Sequence, residues 1–108
     1  MAGKPQNDPV LERFRAAVTE IYGDRVERVV LFGSRARGDA QSDSDYDIAV
    51  FLRDLSNQDA EMNRLADLTT DILYSEGQFI HAMPYRAGSY NDECMPLMHE
   101  IRAEGIDL

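Results

Sequence analysis

Asp45 and Asp47 stand one residue apart where an apolar run begins, Tyr46-Asp47-Ile48-Ala49-Val50-Phe51-Leu52. In an extended chain, residues i and i+2 face the same side, so both carboxylates are presented together. Their like charges repel unless a cation lies between them. Hard oxygen ligands of this kind suit Mg²⁺, which takes one or two protein carboxylates and leaves its other positions to water and substrate phosphates. By itself Asp-x-Asp also reads as a solvated acidic turn. Upstream, separated by a ten-residue spacer, is Gly33-Ser34. Glycine has no Cβ, so a phosphate can approach its backbone, and amides at a loop-to-helix start attract anions. Ser34 adds a hydroxyl donor, and Arg35 and Arg37 can neutralise further phosphate charge. A lone Gly-Ser is merely a turn. The two parts at this spacing arise by chance in on the order of one in a thousand chains of this size. Jointly they suit metal-assisted phosphoryl or nucleotidyl transfer: amides for a triphosphate, carboxylates for the metal that bridges to it.

The elements around this segment must place it. Asp8-Pro9 reads as a helix start, with Asp as cap and Pro in the first helical position. Val10, Leu11, Phe14, Val18, Ile21 and Tyr22 recur at helical spacing up to Gly23. Arg25 to Phe32 predicts a strand. Gly33 to Ser44 predicts an exposed loop with a short helical turn after Ser34, and Tyr46 to Leu52 a second strand. Ser56 to Tyr74 predicts a long helix capped by Ser56 with Asp59 three residues on, its apolar face being Met62, Leu65, Leu68, Ile72 and Leu73. Gln78 to Met83 predicts a third strand ended by Pro84, and Pro96 to about Gly105 a last helix. Its Leu97, Met98 and Ile101 form a candidate contact face for a partner, and Tyr46 is expected to point away from the two carboxylates. Alternating strands and helices imply an α/β (α+β) fold, a small mixed sheet with flanking helices.

A chain of 108 residues fits one domain with a real core. Residues 1–8 are expected to be a flexible N-terminal tail, and residues 9–108 a single domain. No apolar run approaches the ~20 residues of a membrane span, and the start lacks an apolar signal segment. Cys94 stands alone, so neither an internal disulfide nor a multi-thiolate metal site is available, and a cytoplasmic setting is expected. The formal charge is −9. Setting aside Asp39, Asp43, Asp45 and Asp47 as possible metal-site residues still leaves −5. That disfavours broad nucleic-acid binding, which rests on phosphate neutralisation by Lys and Arg. Of the eleven basic residues only Lys4 is a lysine; the arginines suit bidentate contact with phosphate or carboxylate.

Gly33, Ser34, Asp45 and Asp47 resemble, residue by residue, the signature of the DNA polymerase beta-like nucleotidyltransferase superfamily. The ten-residue spacer resembles its minimal nucleotidyltransferase (MNT) branch. The likeness extends to Arg35, Arg37 and Gly38 and to the ending Ile101-Arg102-Ala103-Glu104-Gly105-Ile106. It implies a nucleotidyltransferase fold, Mg²⁺ as cofactor and ATP as substrate. It further implies an antitoxin that transfers AMP to a tyrosine of a HEPN-domain ribonuclease partner. Catalytic and metal roles fall to Asp45 and Asp47, and nucleotide binding to Gly33, Ser34, Arg35 and Arg37. The superfamily commonly adds a third carboxylate from a later strand, yet no Asp or Glu occurs from Gln78 through Asn91. His81 or Gln78 is expected near that position, His81 as a possible base. The missing acid keeps a second reading open, a weak or inactive module that neutralises its partner by binding. A third reading is transfer to RNA or a small molecule. The acidity argues against RNA, and the short chain argues against a small-molecule acceptor.

Overall fold

The computed structural model describes residues 8–41 and 44–108. Residues 1–7 of the expected tail, and Ser42 and Asp43 of the expected loop, lie outside the described residues. Asp8 is not tail. Its carboxylate accepts the amides of Val10 at 2.9 Å and Leu11 at 3.4 Å and so caps helix α1, Pro9–Tyr22. The buried line of α1 runs Phe14, Val18, Tyr22, and Ile21 falls on its flank, exposed. A 3₁₀ turn, Gly23–Arg25, leads into β1, Val26–Phe32. A single short turn, α2, spans Ser34–Arg37, followed by β2, Tyr46–Leu52.

Helix α3, Gln58–Glu76, starts later than the sequence suggests. Asn57, not Ser56, is its cap, with the Asn57 side-chain oxygen accepting the Ala60 amide at 3.0 Å. Asn and Ser compete closely for this position. The buried face of α3 is Glu61, Leu65 and Ile72, while the expected core residue Met62 is exposed. Strand β3, Ile80–Arg86, runs through Pro84 instead of stopping there. It lies at the edge of the sheet, where a missing N–H is tolerated. After helix α4, Pro96–Glu104, a two-residue strand absent from the expectation, β4, Ile106–Asp107, closes the other edge.

The four strands are ordered β3-β2-β1-β4. β1 is antiparallel to β2 and β4, and β2 is parallel to β3, with α3 as the crossover. This is a mixed sheet with flanking helices, as the sequence implies. Alternation along the strands divides the core in two. Val29 and Leu31 of β1 and Tyr46, Ile48, Val50 and Leu52 of β2 pack against α1 and α3. Val30, Ala49 and Phe51 pack against Met98 and Ile101 of α4 on the opposite face. Met98 and Ile101 are therefore sheet-facing core, and the partner-contact face expected on α4 is not available at those residues. Asp47 has the parity of Ala49 and Phe51, so the carboxylates belong to the α4 side. Tyr46 points the other way, as expected, and its hydroxyl donates to Asp8 at 2.7 Å.

Candidate active site

Phe32 of β1, Asp47 of β2 and His81 of β3 stand side by side across three strands. The chain leaves β1 through Gly33, whose φ of 78° is open to glycine and strained for other residues. Space requires glycine as well. A Cβ at Gly33 would collide with Asp47 Oδ2 and lie 3.3 Å from its Cγ. The Gly33 backbone and the Asp47 carboxylate are thus in contact, which joins the two halves of the sequence signature.

Asp47 is half-buried. Burial pushes its carboxyl above the ordinary range, against the pull of His81, and the charge of Asp45 pushes it further in the same direction. His81 Nδ1 is 3.8 Å from Asp47 Oδ1, with the imidazole largely exposed. His81 therefore occupies the place beside Asp47 where sequence reasoning looks for a third acid. Asp45 is exposed just ahead of β2. Among the described residues no three His, Cys, Asp or Glu side chains converge as a closed metal site. The chemistry of Asp47, whose carboxyl burial pushes up, and of Asp45, whose charge repels it, fits Mg²⁺: the two would hold the cation, which would relieve their repulsion and leave its other positions to water and phosphate.

The other sequence candidates are held in different ways. The hydroxyl and amide of Ser34, at the start of α2, have no hydrogen-bond partner among the described residues. Arg35 turns toward the end of the loop. Its Nε and Nη2 donate to the Ser44 carbonyl at 3.1 and 2.8 Å, its Nη2 to Gln78 Oε1 at 3.4 Å, and its guanidinium lies 4.1 Å from the Tyr46 ring centroid. Gln78 is therefore used by the loop and does not stand beside Asp47. Arg37 pairs with Asp39 at 3.1 Å and with Glu104 at 3.1 Å, which raises its pKa through those two hydrogen bonds, while its charge also reaches Asp47.

Glu104 belongs to the ending that resembles the family, yet the sequence assigns it no role in the site. Its Oε1 accepts the Gly33 amide at 2.9 Å and Arg37 Nη1 at 3.2 Å. A signal was present in the chain: an acid in the last turn of a helix opposes the helix dipole and calls for a cationic or N–H partner.

The profile of the family described as "Polymerase beta, Nucleotidyltransferase" matches residues 18–106. Two proteins of Methanocaldococcus jannaschii, each named "putative protein adenylyltransferase", align with the chain. One is 35% identical over 46 residues, covering 43% of this chain and 46% of its own length. The other is 32% identical over 76 residues, 70% of each. The aligned part thus spans less than half the length of the first. A crystal structure of a "putative nucleotidyltransferase" from Sulfolobus solfataricus superposes with a TM-score of 0.65 at 18% identity, over 91% of this chain and 75% of that one. A toxin–antitoxin crystal structure with AMP-PNP does so at 0.62 and 18% identity, over 89% and 70%. At such identities the two structures speak for the fold alone.

Proposed function

The chain belongs to the polymerase beta nucleotidyltransferase family, and from that premise we propose that it transfers AMP from ATP to a tyrosine hydroxyl of a HEPN-type partner, as an antitoxin. The acceptor oxygen bonds to the α-phosphorus of ATP, the bond from that phosphorus to the bridging oxygen breaks, and pyrophosphate leaves. Asp45 and Asp47 would hold Mg²⁺, which when bound offsets phosphate charge and favours the ionised acceptor oxygen. Ser34 offers its amide and hydroxyl to phosphate oxygens, and Gly33 lets the nucleotide approach the backbone beside Asp47. Arg37 supplies positive charge at the same end of the loop. Arg35 fixes the loop's return to β2 and so the position of Asp45. His81, exposed beside Asp47, takes the proton of the acceptor hydroxyl.

The observation that carries this reading is the contact of Gly33 with Asp47. It brings a glycine turn and a half-buried carboxylate whose burial outweighs its cationic neighbours to one point. The relatives named as protein adenylyltransferases support a protein acceptor. The fold neighbour solved as a toxin–antitoxin with AMP-PNP supports a toxin partner and an adenine nucleotide. All strands and helices that place the site share one sheet, so the proposal treats residues 9–108 as one domain. The proposed use of ATP suits a cytoplasmic setting. No helix among the described residues is long and apolar enough to cross a membrane.

A second reading has one observation in its favour: His81, not an acid, neighbours Asp47 on β3. In that reading the chain neutralises its partner by binding alone. Incubation of the protein with the product of the neighbouring reading frame, labelled ATP and Mg²⁺ separates the two. Transfer predicts a gain of one AMP on the partner, lost with Asp45→Asn and with Asp47→Asn. No gain, with neutralisation intact in both variants, establishes the binding module. Transfer that persists unchanged in His81→Ala removes His81 as the base and leaves the rest standing.

A further inference from the structure

Glu104 lies at the end of α4, 71 residues from Gly33 in sequence, and yet it accepts the Gly33 amide at 2.9 Å. Its position is fixed from several directions. Gly105, the next residue, is pressed onto β1, the strand that leads into Gly33, since a Cβ there would collide with Val30 Cγ1 and the Ile101 carbonyl. Gly105 donates to Ile101 O at 2.8 Å, Ile106 pairs with Leu31, and the Leu108 amide donates to Val29 O at 2.9 Å. Behind it, Met98 and Ile101 are fully buried. The backbone of Glu104 is therefore tied to β1 just before the turn that its side chain grips.

That grip reaches both parts of the transfer site. One oxygen of Glu104 takes the amide of Gly33, the residue in contact with Asp47; both oxygens take Arg37 Nη1, at 3.2 and 3.1 Å. A carboxylate at a helix C-terminus is unfavourable against the helix dipole, so this placement needs the amide and the guanidinium to compensate it. We propose that Glu104 is a positioning residue of the transfer site: from the end of the last helix it holds the Gly33 turn, and through it the Asp47 carboxylate and the Arg37 guanidinium, in their working arrangement. The kinetic consequence rests on the nucleotidyl-transfer reading above; the structural one does not.

Three variants separate its features. Glu104→Gln keeps an acceptor oxygen at the same reach, Glu104→Asp keeps the charge but is one methylene short, and Glu104→Ala removes both. If the alanine variant fails to fold, the other two carry the test. The first readout needs no activity: hydrogen–deuterium exchange of the Gly33 amide by NMR in the nucleotide-free protein. Protection is expected in wild type and Glu104→Gln, with exchange about tenfold faster or more in Glu104→Asp and Glu104→Ala. Wild-type protection in Glu104→Asp overturns the proposal.

The second readout is AMP transfer, measured well below the melting temperature. With Glu104→Asp and Glu104→Ala, kcat falls about tenfold or more, KM for ATP moves less than about threefold, and Glu104→Gln restores kcat, because misplacement of an oriented group costs rate at this scale. A lowered melting temperature with unchanged kcat makes Glu104 a fastener of the fold and overturns the proposal. Tighter ATP binding in Glu104→Gln makes it a competitor of phosphate and does the same. If wild type transfers nothing, the proposed function fails, and the Gly33 exchange pattern still decides whether Glu104 holds the turn.

Discussion

Glu61 and Asp47 both put a carboxylate where the surrounding pattern calls for an apolar side chain, and they end with opposite electrostatics. Glu61 sits on the core face of α3, 7% exposed, in line with Leu65 and Ile72. Burial pushes its carboxyl up, but the hydrogen bond from Arg25 at 3.0 Å, with Arg64 nearby at 3.7 Å, outweighs burial and holds it below the ordinary range. The same guanidinium of Arg25 lies 5.4 Å from the Tyr22 ring centroid; Glu61 is thus held by two arginines, although its Oε1 and the Tyr22 hydroxyl are buried without a hydrogen-bond partner among the described residues. Asp47 has only weaker partners. Arg37 pairs with Asp39 and Glu104 and reaches Asp47 only through its charge, the neighbour on β3 is a histidine at 3.8 Å, and burial with the charge of Asp45 outweighs both and pushes the carboxyl up. The first carboxylate is held in its charged form by the fold; the second is left only partly compensated beside the Gly33 turn, as the proposed metal-holding role requires.

The largest expected effect follows from removing the less compensated charge. Asp47→Asn lowers AMP transfer about a hundredfold or more, the scale on which loss of one electrostatic contact to developing charge is felt. It does not lower the melting temperature in metal-free buffer at pH 7. The sign follows from the raised folded-state pKa: the neutral form is favoured by folding, so the ionised Asp47 costs stability once pH rises above the unfolded value of 3.8. The advantage of the asparagine variant therefore shrinks as pH is lowered toward that value. Thermal melting at pH 7 and near pH 4 with a chelator checks it. A variant that melts well below wild type at pH 7 would show that Asp47 is structurally satisfied and erase the contrast with Glu61.

The opposite behaviour is expected at Glu61. Glu61→Ala leaves Arg25 half-buried without its partner and costs about 1–2 kcal/mol, less than for a fully buried pair because Arg25 is partly hydrated. Transfer per folded molecule is unchanged. With its pKa lowered, Glu61 contributes stability that is present above its unfolded value of 4.5 and lost as pH falls through its folded value. Denaturant midpoints at pH 7 and pH 3 therefore differ by more in wild type than in the variant. Equal differences would show that Glu61 is not held by its arginines.

Only the Asp47 half of this contrast is legible in the sequence, and the rest is hidden for a definite cause. Gly33 and Asp47 are close in sequence, so spacing and strand parity bring them into contact, with Asp45 near enough to act on Asp47 through its charge, and Tyr46 falls on the opposite face for the same reason. Glu104 is brought to Gly33 by the packing of α4 and β4 on β1, a long-range arrangement; the local pattern, an acid in the last helical turn, calls for a partner without saying which. Glu61 was hidden because periodicity was read through Met62, one residue away, and a charged residue on the core face was not considered. Pro84 misled because a proline stops a central strand but not an edge one, and edge position depends on the order of the sheet. Ser56 lost the cap to Asn57 because both residue types perform it about equally well.

The smallest effect expected lies on the reverse side of the site, at a third carboxylate that the chain satisfies by itself. Asp8 Oδ1 accepts the Val10 amide at 2.9 Å, and Oδ2 accepts the Tyr46 hydroxyl at 2.7 Å, directly beside Asp47 in the chain. If internal compensation marks structural acids, Asp8 belongs with Glu61 despite its place next to the site. Asp8→Ala removes the cap of α1 and lowers stability by about 1 kcal/mol. It shifts transfer by less than about twofold, because Tyr46 stays buried between α1 and the sheet and still fixes the start of β2. Tyr46→Phe isolates the second bond. Burial and the Asp8 charge push the Tyr46 phenol up to about 12, so its neutral form is favoured by folding; this stability is present below the unfolded value of 10.0 and lost as pH rises toward 12. Alkaline melting from roughly pH 9 to about 12 is therefore shallower in Tyr46→Phe than in wild type. A loss of transfer in Asp8→Ala as large as that in Asp47→Asn would mean that compensation by the fold does not separate structural from functional acids here.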